Sequence, residues 1–347
     1  WRGIPFFHPP IADRSFSLPF PLRSGFERDL PHSPVWLPVT AAQKEVCQAR
    51  CGRHPVPPFQ HAPNLMNPIP TASHVWEDLQ AVRSSAPLVH NITNYVVMNN
   101  TANALLAAGA SPVMAHALEE VEDMAGIAGA LVVNIGTLSP HWVDAMEAAM
   151  RRAAERGIPI VLDPVGAGAT LYRTQALRRL LEAAAPTHIR GNGSEVMALL
   201  DGQTATKGVD STQESGSALG AARALAGGLG CAVVVSGAVD YIVAPPGGSN
   251  PSAAAVGAAL TVGNGHALMT RVTGLGCTAS ALVGAFAAVV DDPARAAASA
   301  MCVLGVAGEI AAAKAAGPGT LQLHLLDALH SMEEQDIATR ARLGTDA

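Results

Sequence analysis

Short continuous apolar runs alternate along most of the chain with longer stretches in which apolar residues recur every three or four positions. The apolar runs are bounded by polar residues or glycine and lie within residues 130–136, 158–164, 187–190 and 231–236. Continuous runs of this length are typical of parallel strands buried on both faces, and the intervening stretches are long enough for crossover helices. The alternation predicts an α/β fold in three layers, with a central, mostly parallel sheet covered by helices on both faces.

The clearest helix prediction follows the first of these runs. Ser139 and Pro140 are of the types preferred at the N-cap and the first position of a helix, and Gly157 is a typical helix end. Between them the apolar residues keep helical spacing, and Glu147 and Arg151 have the i,i+4 spacing of a surface ion pair. We therefore predict a helix that ends at Gly157.

Residues 1–65 differ in composition from the rest of the chain. They contain 12 of the 25 prolines and six of the seven phenylalanines but only three of the 33 glycines, and their apolar residues follow neither the strand nor the helix period. We interpret residues 1–65 as a disordered, Pro-rich N-terminal extension and residues 66–347 as the folded domain. A start at Met66 would leave the extension outside the native protein, and an organelle transit peptide is the alternative.

The overall composition argues against several classes of protein. The net charge is −6 and the chain has three lysines, which argues against nucleic-acid binding. No uninterrupted apolar stretch reaches 18 residues, so we expect no membrane span. Five cysteines in 347 residues do not make a disulfide scaffold, and we expect a reducing, cytoplasmic location.

Several predicted strands end in a residue that could contact a nucleotide. Asp163, Arg190 and Ser236 follow apolar runs, and Glu195 stands shortly after Arg190. Ligands of open parallel sheets bind at the carboxyl ends of the strands, where these side chains would meet. Asp163 and Glu195 could hold Mg²⁺ directly or through water, because this ion needs few protein carboxylates. Taken singly, each residue could instead serve a turn, a surface ion pair or a helix start.

A glycine-rich turn late in the chain is the strongest single indication of phosphate chemistry. Gly274 and Gly276 precede Cys277, and residues 279–290 are small and apolar, as in a buried helix. Glycines let backbone N–H groups turn inward, and a helix N-terminus carries about half a positive charge, so the turn is a candidate anion hole for a transferring phosphoryl group. Cys277 would lie at the helix start, where the pKa of a thiol is lowered. The alternative is a buried cysteine packed against a turn.

An amide-rich segment lies earlier in the chain. Its asparagines stand at positions 91, 94, 99, 100 and 103. Such density predicts the lining of a small-molecule pocket, although asparagine is also common at caps and turns. Met114 ends an apolar turn and would suit an irregular or sulfur-containing ligand, or else pack in the core.

Together these motifs resemble the hydroxyethylthiazole kinase family. The resemblance covers about residues 75–335 and rests on five segments in the family's order: LVHNITN at 88–94, GASPVM at 109–114, LDPVG at 162–166, IRGNGSE at 189–195 and GLGC at 274–277. It implies a ribokinase-like fold and a homotrimer with active sites between subunits. It also implies ATP- and Mg²⁺-dependent phosphorylation of the hydroxyl of 4-methyl-5-(2-hydroxyethyl)thiazole, a step of thiamine salvage.

The resemblance also implies roles for individual residues. Two would contact ATP: Arg190 and Ser236. Two would lie near the magnesium ion and the phosphates: Asp163 and Glu195. Three would line the thiazole site: Asn91, Met114 and Gly274. The anion hole would consist of Gly274, Gly276 and Cys277. Most ribokinase-like kinases have an aspartate as the base where this chain has Cys277, so a base role for this thiol is a hypothesis.

Three other functions remain open from the sequence. A ribokinase-like lyase that dehydrates a damaged nicotinamide cofactor would share the anion hole and the use of ATP. A kinase for the pyrimidine alcohol of thiamine would have similar chemistry, but the motif around Cys277 disfavours it. A non-catalytic nucleotide- or thiazole-binding protein is disfavoured by the presence of Asp163, Glu195 and the glycine-rich turn.

Overall fold

The computed structural model describes residues 69–204, 218–245 and 258–346. The predicted extension over residues 1–65 lies outside this part of the chain. The described residues form one nine-stranded sheet, with the strands β1 Leu88–Ile92, β2 Ser111–Val113, β3 Ala130–Asn134, β4 Ile160–Asp163, β5 His188–Asn192, β6 Ala232–Ser236, β7 Asp240–Val243, β8 Leu260–Val262 and β9 Leu343–Thr345.

Helices connect most of these strands. They are α1 Ala72–Ser85, α2 Met98–Ala108, α3 Val121–Ile127, α4 Pro140–Arg156, α5 Leu171–Ala183, α6 Gly193–Thr204, α7 Ala218–Leu229, α8 Leu275–Ala287, α9 Pro293–Lys314, α10 Pro318–Ser331 and α11 Glu334–Arg340. A short 3₁₀ helix covers Ala267–Arg271.

The sheet order is β2-β1-β3-β4-β5-β6-β7-β8-β9. The first six strands in this order pair in parallel, and the remaining pairs are antiparallel. The prediction of a mostly parallel sheet is therefore confirmed, and the antiparallel end is an addition. The parallel strands all turn their carboxyl ends to one edge of the sheet, which brings the polar strand ends together.

Two hydrophobic cores lie on opposite faces of the sheet. Val132 and Val161 point into the core formed with α8 and α9, whereas their neighbours Leu131 and Leu162 point into the core formed with α4. Successive side chains of a strand point to opposite faces, so a strand that is apolar at every position has both faces covered. This confirms the predicted three layers.

Helix α4 confirms the prediction made from its caps. The Ser139 hydroxyl accepts a hydrogen bond from the backbone N–H of Trp142 at 3.4 Å, Pro140 occupies the first turn, and Gly157 ends the helix with φ of +68°. Glu147 and Arg151 form the expected ion pair on its surface. The ends of α4 could be predicted from the sequence because a cap contacts only residues within one turn of the helix.

Helices α8 and α9 form the centre of one core. A Cβ at Gly284 of α8 would lie 2.6 Å from Cγ2 of Val132, so the helix lies directly against the sheet. The length and composition of α9 would also suit a membrane span, but 78% of its most apolar window is buried inside the molecule. A helix buried in the core of a protein can have the same length and apolar composition.

Candidate active site

The carboxyl edge of the parallel strands gathers the polar residues. Asn134 ends β3 directly beside Asp163, which ends β4, and Asn192 ends β5 beside Ser236, which ends β6. Asp163 and Ser236 end their strands as predicted, whereas β5 continues past Arg190 to Asn192, so Arg190 lies within its strand and not at its end. Asn134 was not predicted as a site residue, although it obeys the same strand-end rule.

Asp163 is fully buried and only partly paired. Its Oδ2 accepts hydrogen bonds from Asn134 Nδ2 at 2.7 Å and from the Ser280 hydroxyl at 2.8 Å. Its Oδ1 has no hydrogen-bond partner among the described residues. Burial raises the pKa of Asp163 to about 6, although the positive charge of Arg190 and the Ser280 hydroxyl oppose the shift. A buried carboxylate oxygen without a partner is costly in the free protein, so its place in the site indicates a ligand.

A chain of amide side chains joins this carboxylate to the glycine-rich turn. Asn94 Nδ2 donates to Asn134 Oδ1 at 2.9 Å and lies 3.4 Å from Cys277 Sγ, and Asn134 in turn donates to Asp163. A Cβ at Gly136 would lie 2.6 Å from Asn94 Nδ2, so glycine at 136 leaves the room that Asn94 occupies. Asn94 belongs to the amide-rich segment, and its part in the site is visible only when β1 and β3 are placed side by side.

The predicted anion hole has the expected backbone. Gly274 is the N-cap of α8 with φ of +84°, a conformation that glycine adopts without strain. The helix starts at Leu275, which puts Gly276 and Cys277 in its first turn and agrees with the prediction that Cys277 lies at the helix start. A Cβ at Gly276 would lie 2.7 Å from Nη1 of Arg190, so the guanidinium lies directly against this turn. A fixed positive charge therefore lies beside the free N–H groups of a helix start.

The expected direction of the Cys277 pKa was wrong. Burial raises the pKa of the Cys277 thiol, and the negative charge of Asp163 raises it further. The amides of Asn134 and Asn94 and the charge of Arg190 oppose this without reversing it. The helix N-terminus was expected to dominate, but removal of the thiol from water has the larger effect. Cys277 is thus a neutral thiol in the free protein.

A cleft of about 560 Å³ opens beside this turn. Its lining includes Arg190, Ser236, Gly274 and Gly276 of the predicted site. The Nε of Arg190 and the hydroxyl of Ser236 are buried, and neither has a hydrogen-bond partner within the described ranges. Polar atoms left unpaired in a cleft of this size are typical of a ligand site.

Asp240 is a lining residue of the same cleft that the sequence did not indicate. Its Oδ1 accepts the backbone N–H of Gly237 at 3.0 Å, and burial raises its pKa to about 6. Asp240 begins the antiparallel strand β7, so its position depends on a hairpin that the apolar runs do not signal.

Glu195 lies at the same edge but is engaged by the backbone. Its Oε1 accepts the N–H of Gly166 and its Oε2 the N–H of Asn192, each at 2.9 Å. In the part of the chain that the structure describes, no three His, Cys, Asp or Glu side chains cluster as a metal cage. Mg²⁺ keeps several waters and binds phosphates, so it does not need one. The free oxygen of Asp163 fits such an ion directly, whereas Glu195 fits a contact through water.

The predicted thiazole residues lie in β1, just after β2 and at the N-cap of α8. Asn91 of β1 is fully buried, donates to the carbonyl of Val89 at 3.0 Å, and keeps its Oδ1 unpaired among the described residues. Met114 follows β2, which is the edge strand of the described sheet, and is partly exposed. Gly274 packs against Val97 at the start of α2. These three residues line one edge, with Met114 at its outer end.

The chain is similar to known enzymes over most of its length. A sequence model of the hydroxyethylthiazole kinase family matches residues 79–335. The chain is 59% identical over 274 residues to the hydroxyethylthiazole kinase of Syntrophus aciditrophicus, which covers 79% of this chain and 97% of that protein. It is 55% identical over 261 residues to the hydroxyethylthiazole kinase of Leptospira biflexa, covering 75% and 94%.

A solved structure leads to the same family. The hydroxyethylthiazole kinase of Pyrococcus horikoshii superimposes with a TM-score of 0.68 at 43% sequence identity, covering 79% of this chain and 100% of that one. The three-layer α/β architecture expected from the sequence is thereby confirmed. The matched residues include the strand-end carboxylate, the cleft and the glycine-rich turn. With both the sequence and the architecture in agreement, the chain belongs to the hydroxyethylthiazole kinase family.

Proposed function

We propose that the protein transfers the γ-phosphoryl group of ATP to the hydroxyl of 4-methyl-5-(2-hydroxyethyl)thiazole, with Mg²⁺, as a step of thiamine salvage. One observation carries the proposal: the anion-hole turn of α8 lies between a buried, half-paired carboxylate and a cleft with unpaired polar groups. Phosphoryl transfer needs a cation site, a donor pocket and positive backbone dipoles around one point, and little covalent chemistry.

ATP occupies the 560 Å³ cleft in this proposal. The unpaired Nε of Arg190 and the Ser236 hydroxyl would donate to its phosphates, since both are buried donors that lack a partner among the described residues. Arg190 crosses Gly276, so its charge lies beside the turn that receives the transferring group. The cleft volume falls in the range of about 300–1,000 Å³ usual for small-molecule sites.

Asp163 would hold Mg²⁺ through its free Oδ1, and Glu195 would contact the ion through water. The ion would neutralise charge that develops on the phosphate oxygens. Ser280 and Asn134 keep Oδ2 of Asp163 occupied, so the carboxylate presents its other oxygen to the site. The amide oxygen of Asn134 is held in turn by Asn94 and by the N–H of Gly136.

The acceptor hydroxyl would lie beside Cys277, between Asn94 and the anion-hole N–H groups of Gly276 and Cys277. Because burial keeps this thiol neutral, we assign it chiefly to orienting the hydroxyl. A loose transition state needs little proton removal before the phosphoryl group moves, so alignment and charge stabilisation supply most of the acceleration. Asn91 and Met114 would line the thiazole ring on the neighbouring strands.

We infer that the active enzyme is a homotrimer with shared active sites. Tyr95 and Val96, which follow Asn94, are 66% and 62% exposed, and Leu118 near Met114 is 50% exposed. Tyr95 stacks on Trp142 at 4.5 Å between ring centroids, so an exposed apolar surface is held rigidly at the site. Such surfaces mark contacts with another protein. The described cysteines, Cys231, Cys277 and Cys302, are free thiols, which supports the proposal of a cytoplasmic location.

An ATP-consumption assay with Mg²⁺ and four acceptors tests the function. The acceptors are the hydroxyethylthiazole, the thiamine pyrimidine alcohol, pyridoxal and a hydrated nicotinamide cofactor, with products identified by mass. We expect a phosphate on the thiazole alcohol alone. A phosphorylated pyrimidine or a dehydrated cofactor would assign one of the other two enzymes, and binding without turnover would assign a binding protein.

The same assay on residues 66–347 and on the full chain tests the domain boundary. We propose that the two have equal turnover, because the family match begins at residue 79. Activity confined to the full chain would give residues 1–65 a role.

A further inference from the structure

Arg173, in the first turn of α5, binds three backbone carbonyls on two separate loops. Its Nη1 donates to the carbonyls of Ile135 and Val165, each at 2.6 Å, and its Nη2 donates to the carbonyl of Gly136 at 2.8 Å. The first loop follows β3, and the second follows β4. A single guanidinium thus bridges the two strand ends that carry Asn134 and Asp163, with donors in a rigid planar fork.

The peptide units that Arg173 binds also hold the site from their other side. The carbonyl of Ile135 shares a peptide unit with the N–H of Gly136, which donates to Asn134 Oδ1 at 2.9 Å. The carbonyl of Val165 shares a peptide unit with the N–H of Gly166, which donates to Glu195 Oε1 at 2.9 Å. In a trans peptide the C=O and the N–H point in opposite directions. Arg173 therefore fixes the planes that orient Asn134 and Glu195.

From this geometry we propose that Arg173 is a positioning residue for phosphoryl transfer. It aligns the amide of Asn134 and the carboxylate of Glu195 by clamping the peptide units behind them, and so sets the spacing between the β3 and β4 loops. The inference rests on the proposed function, which puts Mg²⁺ and the phosphates at these loops. The Arg173 guanidinium contacts only backbone carbonyls. It therefore acts on the reaction through Asn134 and Glu195, which the N–H groups of the same peptide units hold.

Arg179 provides a matched control on the same helix. It is an arginine of α5 that forms ion pairs with Asp144 and Glu147 of α4. Its loss removes the same charge and a tie between α5 and its neighbour, but it touches neither loop. A difference in activity between the variants at 173 and 179 therefore reflects the contacts of Arg173 with the two loops, and not the lost charge or the packing of α5.

The experiment compares the full chain with Arg173→Gln, Arg173→Lys and Arg179→Gln. The readouts are kcat, KM for ATP, the Mg²⁺ concentration for half-maximal rate, and the Kd of Mg²⁺–ATP by calorimetry. We expect Arg173→Gln to lower kcat by roughly 30- to 100-fold, because a displacement of about 1 Å costs up to that much, and to raise the Mg²⁺ requirement severalfold. Arg173→Lys should recover part of both losses, and Arg179→Gln should stay within about twofold of the parent.

The outcomes separate the clamp from a structural role and from the proposed function. If Arg173→Gln lowers only the melting temperature, while its kcat and Mg²⁺ requirement equal those of Arg179→Gln, the inference is overturned. If Arg173→Gln does not fold, Arg173→Lys decides on the same readouts. If the parent phosphorylates none of the acceptors, the proposed function fails. The Kd of Mg²⁺–ATP then still decides the inference, which requires weaker binding in Arg173→Gln than in Arg179→Gln.

Discussion

At the scale of single residues, burial decides the chemistry of the site more than position along a helix does. Cys277 lies in the first turn of α8, where the helix dipole favours a thiolate, yet burial and the charge of Asp163 raise its pKa. Asp163 itself keeps a raised pKa of about 6 because it lies at 0% exposure. Removal from water raises the pKa of both groups and so favours their neutral forms.

Replacement of Cys277 tests which role the thiol has. We expect Cys277→Ala to lower kcat by only about tenfold, because a neutral thiol orients the hydroxyl without accepting its proton early. Cys277→Asp should keep or exceed the parent rate, since a carboxylate both orients the hydroxyl and accepts a proton. Single-turnover phosphorylation of the thiazole alcohol measures both. A loss of about 10²-fold or more in Cys277→Ala that Cys277→Asp restores would assign proton removal to the thiolate instead.

Single residues also mark the limit of what the sequence could predict. The strand-end rule located Asp163 and Ser236, because an apolar run and its last polar residue are adjacent in sequence. The same rule would have located Asn134, whereas Ser280 was missed because its contact with Asp163 spans 117 residues. The clamp at Arg173 was missed for the same reason, since its contact with Ile135 spans 38 residues.

At the scale of elements, α8 has two functions. Its first turn forms the proposed anion hole, and most of its remaining residues are buried between the sheet and α9. Gly284 brings the helix to within van der Waals distance of Val132 and Val89. The position of the proposed anion hole is therefore set by the packing of the same helix about two turns further on.

Enlarging Gly284 should move the helix. In Gly284→Ala the new Cβ would lie 2.6 Å from Val132 Cγ2, a stiff β-branched side chain in a strand, so we expect a loss of about 1–3 kcal/mol in the free energy of unfolding. Urea denaturation measures this, and kcat should fall as well. Gly227→Ala in α7 is the control: its Cβ meets nothing within 4 Å among the described residues, and Ala should stabilise the helix by up to about 1 kcal/mol. Equal stability of the two variants would contradict close packing at Gly284.

The elements were predicted unevenly. The parallel strands β3 to β6 and the helix α4 have local signals, namely apolar runs and caps, and their positions agree with the structure to within a few residues, whereas the parallel strands β1 and β2 were not predicted. The antiparallel strands β7, β8 and β9 are short, and β9 pairs with β8 across some 80 residues of chain. The periodicity of apolar residues within a short stretch of sequence does not reveal pairings between strands so far apart.

At the scale of the whole molecule, the proposed trimer should depend on the exposed apolar surface beside the site. Val96→Glu puts a charge into this surface, and we expect it to dissociate the assembly and abolish turnover, because a buried unpaired charge is costly. Light scattering should give three times the mass of one chain for the parent and the mass of a single chain for Val96→Glu.

Ile127→Glu serves as the control for this prediction. Ile127 is 65% exposed, close to the value for Val96, but it ends α3 just before β3 and so lies at the opposite edge of the sheet. It should leave the mass and the rate unchanged. A parent enzyme that is active at the mass of one chain would rule out shared active sites.

The double role of α8 has a consequence for how this kind of enzyme can diversify. The turn proposed for phosphoryl transfer belongs to the same helix as the centre of the core, so a substitution in the turn also affects folding. Met114 is partly exposed on the short connection after the edge strand β2, at the other end of the same edge, where a substitution disturbs little packing. A new acceptor alcohol is therefore more readily acquired by mutation than a new phosphoryl donor site.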